Sequence, residues 1–269
     1  VNNIQLLTEP IAPPNITKPI ELYIFIDPFC PRAIQIQSII RKLLVEYDHY
    51  FSWRYVISTQ LSSLNSLGRR TKGCFSGAQL DISHPAFPSI AIKAAELQGK
   101  RAAFRFIQKL QEHTILNTKD VQYYSTLIEI AKEANLDIDE FAADFGSKET
   151  ARAFQCDLYI AHEMEIDEFP SIVFFNECIE DEGLKVSGLY SYDVYVHILQ
   201  ELLNDELIKK PLPTYEELFN RFHTLTTQEV ADIYSITDQD AERELKKRML
   251  QQKIERLCND KISLWRLKI

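Results

Sequence analysis

Residues 20–33 read Ile20-Glu21-Leu22-Tyr23-Ile24-Phe25-Ile26-Asp27-Pro28-Phe29-Cys30-Pro31-Arg32-Ala33. Ile20–Asp27 is near-continuously apolar and β-prone, the pattern of a strand buried on both faces. Pro28 and Pro31 punctuate a turn, and proline suits a first helical turn because its missing N–H has no partner there anyway. A helical pattern runs from Ile34 to Tyr47, with Ile36, Ile39, Ile40, Leu43 and Leu44 on one face. A cysteine between a buried strand and a helix start is where Cys-x-x-Cys proteins hold a thiolate, stabilised by the helix N-terminus. Here the fourth residue is Ala33, so the second thiol of such a pair is absent.

Outward from this stretch, Phe51–Ser58 supplies aromatic and β-branched residues for a second strand. Strand, helix and strand of this size predict parallel neighbours with a right-handed crossover. Residues 59–84 are polar and irregular and read as a loop. Cys74 and His84 lie ten residues apart within and at the end of it, without further ligands at metal-site spacing. Residues 86–155 read as helical throughout, and a further helix spans Lys148–Met164. Asp137-x-x-Glu140 gives one of these helices a capping signal. The strand pattern then returns. Phe169-Pro170-Ser171-Ile172-Val173-Phe174-Phe175 is a strand entered through a proline, where no ladder donor is lost. Asn176–Gly183 is an acidic turn, Leu184–Leu189 a short strand, and Tyr192–Leu203 a helix, so the two strands read as a β-hairpin.

Residues 204–213, with Pro211 and Pro213, read as a linker. Beyond it, Tyr215–Phe222, Thr227–Tyr234 and Asp238–Gln252 are helical, and Ile254–Cys258 and Ile262–Leu267 form strand, turn and strand. Helix, turn, helix and hairpin is the plan of a winged helix. The expected organisation is therefore a loose arm over 1–19, an α/β domain over 20–208 with a helical insertion at about 86–164, and a winged-helix-like domain over 209–269.

Composition narrows the function classes. The chain has 269 residues and a formal charge of −9. The charge lies before residue 211, where 20 Lys and Arg face 29 Asp and Glu; the remainder holds 10 of each. Phosphate binding needs clustered basic residues, so the sequence predicts no nucleic-acid partner, and the helix carrying Arg243, Lys246, Lys247 and Arg248 is balanced by its own acids. No run approaches the roughly 18 apolar residues of a membrane span. The first 19 residues have neither a basic n-region nor an apolar h-region, so no secretory leader is expected among them. Five scattered cysteines, at 30, 74, 156, 178 and 258, read as reduced thiols in a cytoplasmic protein. No cofactor or metal is expected.

A cysteine at the first helix start, an inserted helical block and a proline before a strand and hairpin together resemble a DsbA-like thioredoxin fold. The segments Ala94–Gly99, Gln155–Ala161, Asp181–Val186, Gly188–Tyr195 and Ala241–Lys253 resemble, more narrowly, the YjbH (SpxH) family of Firmicutes. That resemblance implies an adaptor that binds the transcription factor Spx and promotes its degradation by the ClpXP protease. It also implies a non-catalytic protein, with Cys30, Ala33 and Pro170 a vestigial redox position and Pro170 a cis proline opposite the turn. The alternative is a thiol-disulfide oxidoreductase or isomerase of the DsbA superfamily using Cys30. For partner binding the candidates are the acidic hairpin tip Glu180, Asp181 and Glu182 and the aromatic residues Tyr190 and Tyr192, which otherwise read as a solvated turn and core packing.

Overall fold

The computed structural model describes residues 18–28, 30–58, 83–176, 183–258 and 263–268. Ile20–Ile26 forms β1, Pro31–Tyr47 forms α1 and Phe51–Ile57 forms β2. Ser171–Phe175 (β3) and Leu184–Ser187 (β4) complete a four-stranded sheet in the order β2-β1-β3-β4. β1 runs parallel to β2, from Ile20 against Phe51 to Ile26 against Ile57, and antiparallel to β3, with Ile24 against Ile172. β1 is central and, from Ile24 to Ile26, buried on both faces, which is why its sequence is apolar without alternation there; Glu21 is exposed and Tyr23 half-buried. Ile20, Leu22, Ile24 and Ile26 belong to the main core with Ile36, Ile40, Leu43 and Leu44 of α1. Phe25 points to the opposite face, against Val56, Val173 and Ala161.

Among the described residues, five helices lie between the two halves of the sheet: Phe87–Leu97 (α2), Lys100–Leu116 (α3), Tyr124–Glu133 (α4), Ile138–Phe145 (α5) and Lys148–Glu163 (α6). α5 and α6 begin at Asp137 and Ser147, whose side chains accept from the amides of Glu140 and Thr150. The sequence pattern starts the third of these helices at Thr118; it begins at Tyr124 instead. Thr118 is bound to the ring of His113, 2.7 Å away, and the Asp120 carboxylate accepts from the amide of Gln122. These local side-chain bonds hold the backbone in turns. α6 covers the free edge of β2 through Asp157. Its carboxylate accepts from the Ile57 amide at 2.8 Å, from buried Lys93 at 2.5 Å and from Arg54 at 3.3 Å.

After the hairpin, Tyr192–Leu203 forms α7. The C-terminal unit follows as Tyr215–Phe222 (α8), Thr224–Thr226 (β5), Thr227–Tyr234 (α9), Asp238–Leu250 (α10), Ile254–Cys258 (β6) and Ser263–Leu267 (β7). Its sheet runs β5-β7-β6, both pairs antiparallel. Trp265 is fully buried, and its indole N–H donates to Thr227. β5 has only three residues, too few for a sequence pattern to show.

The unit shares one continuous core with the larger domain and is joined to it by buried polar contacts. Arg41 of α1 donates to Glu229 at 2.8 Å and to the Thr224 carbonyl at 2.9 Å. Glu229 also closes the capping box of α9, accepting from the Thr226 amide at 2.7 Å. Gln108 donates to the Phe222 carbonyl, and Arg266 to Glu112. The segment 204–213, expected as a linker, lies along the end of α1. The Lys210 amide donates to the Glu46 carbonyl, and the Ile208 amide donates to the Tyr50 hydroxyl oxygen. Lys209 pairs with Glu46, and Lys210 and Arg221 pair with Asp48.

This attachment is expected to be acid-labile. Burial alone would push the Asp48 carboxyl up, but the hydrogen bond from Lys210 and the charge of Arg221 overcome it and hold the group below its ordinary value of 3.8. A carboxyl whose folded-state value is depressed contributes stability that is complete above the ordinary value and is lost as pH falls through the folded one. Urea unfolding at several pH values should show a constant gap between the native chain and Asp48→Asn above pH 3.8, closing below it. A gap that persists at the lowest pH contradicts the assignment.

Candidate functional site

Three chain segments meet at the end of the main sheet. The first is the turn after β1. Cys30 is the N-cap of α1, with extended backbone (φ −72°, ψ 120°) and a proline in the first turn. Its amide donates to the Asp27 carbonyl, and its own carbonyl accepts from Ala33. The second is the entry to β3, where the Phe169–Pro170 peptide bond is cis. The Cys30 Sγ donates to the Phe169 carbonyl at 3.7 Å. The third is the loop after β4. The Gly188 amide donates to the Pro170 carbonyl at 2.9 Å. Gly188 has φ +91°, a backbone conformation that side-chain-bearing residues rarely adopt, and the Glu168 carboxylate lies beside it.

Arg32 and Glu168 close one side of the turn with an ion pair of 2.5 Å between half-exposed side chains. The hydrogen bond and the charge of Glu168 hold the Arg32 proton more firmly than usual. So exposed a pair adds little stability; it connects the Cys30 turn to the cis-proline loop. Cys30 is partly buried, and Ala33 is buried in the core. The position a resolving thiol would occupy thus carries only a methyl group. Cys156 and Cys258 are exposed free thiols on α6 and β6. Cys74 and Cys178 lie outside the described residues.

The two aromatic candidates diverge. Tyr190, two residues past Gly188, is half-exposed, and the buried Tyr195 fixes its loop: the Tyr195 hydroxyl accepts from the Tyr190 amide and donates to the Gly188 carbonyl. Tyr192 turns towards α1, donates to Glu46 at 2.8 Å and receives the Lys42 ammonium 4.7 Å from its ring centre. Burial and then the Glu46 carboxylate push its hydroxyl above the ordinary phenol range. Glu180, Asp181 and Glu182 lie outside the described residues. His84, the one described member of the Cys74–His84 pair, accepts from the Ala86 amide before α2. Among the described residues no group of three His, Cys, Asp or Glu is placed to hold a metal, and no helix is long and apolar enough to cross a membrane.

Sequence reasoning missed Glu168 and Gly188 as parts of this site, and Arg41 and Glu229 as the joint between the units. Thr226-x-x-Glu229 is a capping-box signature that was available; nothing in the sequence indicated that α1 would supply its counter-ion.

A thioredoxin family model matches residues 23–197. The ClpXP adapter protein SpxH of Halalkalibacterium halodurans is 36% identical, covering 93% of this chain and 89% of its own. The chain belongs to the SpxH family. SpxH of Bacillus cereus is 38% identical over 88% of this chain, and SpxH of Bacillus subtilis 36% over 88%. Among solved structures, a putative protein disulfide isomerase from Nitrosomonas europaea aligns with a TM-score of 0.53 at 16% identity, covering 69% of this chain and 96% of its own. A probable DsbA oxidoreductase from Streptomyces coelicolor aligns with a TM-score of 0.51 at 15% identity, covering 72% of this chain and 94% of its own. These structures share the DsbA-like thioredoxin fold with the chain. The match to SpxH relatives reaches further, over about nine-tenths of the chain.

Proposed function

We propose that this chain is a cytoplasmic adaptor that binds the transcription factor Spx and promotes its degradation by the ClpXP protease, without catalysis of its own. The observation that carries this reading is the similarity of 36–38% to proteins named ClpXP adapter SpxH, extending well beyond the thioredoxin-like part. The geometry supports it. With a methyl group at Ala33, a mixed disulfide on Cys30 would have no neighbouring resolving thiol in the turn. The surface around the turn still offers what recognition uses: the loop at Gly188 carries a half-exposed tyrosine at 190.

In this reading Tyr190 and the acidic stretch Glu180, Asp181 and Glu182 contact the partner, while Tyr192 holds α7 against α1. Residues 209–269 form a winged-helix-like module that docks protein rather than DNA, in keeping with its balanced charge. A reconstituted assay with purified ClpXP and Spx tests the proposal. Addition of this chain is expected to raise the rate of Spx loss at least tenfold, on the order of 1.4 kcal/mol of effective affinity. An unchanged rate, with no complex between this chain and Spx in a pull-down, contradicts it.

A further inference from the structure

The ends of α3 and α4 are joined by a chain of three side chains that the adaptor reading does not use. His113, in the last turn of α3, is buried. Its Nδ1 lies 2.7 Å from the Thr118 hydroxyl oxygen, and its Nε2 lies 2.9 Å from the Glu133 carboxylate. Asn117, with a left-handed backbone at φ 49°, ends α3, and the Thr118 amide turns back to donate to the His113 carbonyl. Backbone and side chain together hold Thr118 against the ring, while the residue itself is exposed.

The protonation pattern follows from Glu133. Burial would push its carboxyl up, but the hydrogen bonds from His113 and Lys119 overcome this and hold the group below its ordinary value of 4.5. Lys119 pairs with it at 3.1 Å and with Glu129 at 2.8 Å. An ionised carboxylate only accepts, so the His113 Nε2 carries a proton and donates to Glu133. In the neutral ring Nδ1 is then an acceptor, and the Thr118 hydroxyl donates to it. Hydroxyl, imidazole and carboxylate stand in the order that activates a hydroxyl as a nucleophile, an arrangement recognised by geometry and role rather than by sequence position.

We propose that Thr118 is an acylation site, a nucleophilic hydroxyl with His113 as its general base, and that it takes a small acyl group from an uncharged activated ester. The donor is uncharged because Asp120, Glu129 and Glu133 outnumber Lys119 near the hydroxyl and disfavour an anion. The acyl group is small because the threonine hydroxyl is on a branched carbon. The Thr118 Oγ bonds to the acyl carbon as its proton passes to His113 Nδ1. The tetrahedral adduct then expels the alcohol or phenol oxygen of the ester, and the ring returns its proton to that group or to water. The imidazolium formed in between lies against Glu133. The bond to the leaving oxygen breaks as the bond to Thr118 forms, with no oxidation or reduction. The site shares no residue with the Cys30 turn, so it stands apart from how Spx or ClpXP is engaged.

The probe is p-nitrophenyl acetate, added to the full chain, with acetylation mapped over time by peptide mass spectrometry. Hydroxylamine removes an ester at Thr118 and leaves an amide at Lys119, so the two neighbours are told apart. Thr118 is expected to acetylate roughly 100-fold faster than Ser191, an exposed hydroxyl without a capping bond, the lower end of what a positioned general base contributes. His113→Gln should remove that advantage. If that variant does not fold, Glu133→Gln, at a partly exposed position, should slow Thr118 by about tenfold or more and leave Ser191 unchanged, because the ring loses the group that fixes its tautomer. Equal rates at Thr118 and Ser191 would mean that the contact with His113 only closes the end of α3, and overturn the proposal. So does an undiminished rate at Thr118 in whichever variant folds.

Discussion

Asp157→Ala is expected to destabilise the chain by about 3 kcal/mol, the lower end of what removing one partner of a buried ion pair costs. The carboxylate and Lys93 are both almost fully buried, and the pair closes at 2.5 Å. Alanine strands the Ile57 amide on the open edge of β2 and removes one of two counter-charges from Lys93. The remaining counter-charge, Glu96 at 2.6 Å, is what keeps the loss from reaching the upper end of the range. The combined change Lys93→Met and Asp157→Leu should cost less than the single substitution, because the charges left without a partner, on Arg54 and Glu96, are partly exposed and none is buried. Urea unfolding of the three proteins measures this. A loss below about 1 kcal/mol for Asp157→Ala would show that apolar packing, and not the carboxylate, holds α6 against β2.

Arg41→Ala is expected to loosen the C-terminal unit. Arg41 and Glu229 are each 7% exposed at the side chain, and the guanidinium also donates to the Thr224 carbonyl. Removal leaves Glu229 buried with only the capping bond from Thr226, a loss of about 3–5 kcal/mol. At 1.4 kcal/mol per tenfold, amides of α9 should then exchange at least roughly 100-fold faster, and up to a few thousandfold, in opening events that separate the units. Hydrogen exchange read at Val230, Ala231 and Ile233 reports it, because these residues are buried in the shared core. Unchanged protection there, with normal overall stability, would mean that apolar contacts alone hold the seam.

What the residues revealed in advance was local. The continuous apolar run Ile20–Ile26, the proline-bounded turn at Cys30 and the proline before Ser171 are period and turn signals, and each found its element. The helix, turn, helix and hairpin order after residue 214 was legible for the same reason. The joint between the units was not. Arg41 and Glu229 are separated by 188 positions, and no pattern within either segment points to the other. Residues 204–213 carry the composition of a linker, and their attachment to Glu46, Asp48 and Tyr50 is a tertiary fact. At the candidate site, Cys30 and Pro170 were readable because proline and a helix-start cysteine have few other uses. Glu168 and Gly188 depend on which loops the sheet brings together. Tyr190 and Tyr192 looked alike in sequence; α7 begins between them, so one is left half-exposed and the other turns to Glu46.

In the proposed function the turn at Cys30 serves recognition and structure, not thiol exchange. The most direct test is Cys30→Ser in the reconstituted ClpXP assay with Spx, under reducing and non-reducing conditions. Serine keeps the N-cap position of α1 and removes the sulfur. The variant is expected to stimulate Spx degradation as well as the native chain under both conditions. Loss of stimulation, with unfolding behaviour unchanged, would contradict it and return Cys30 to the role of a reacting thiol.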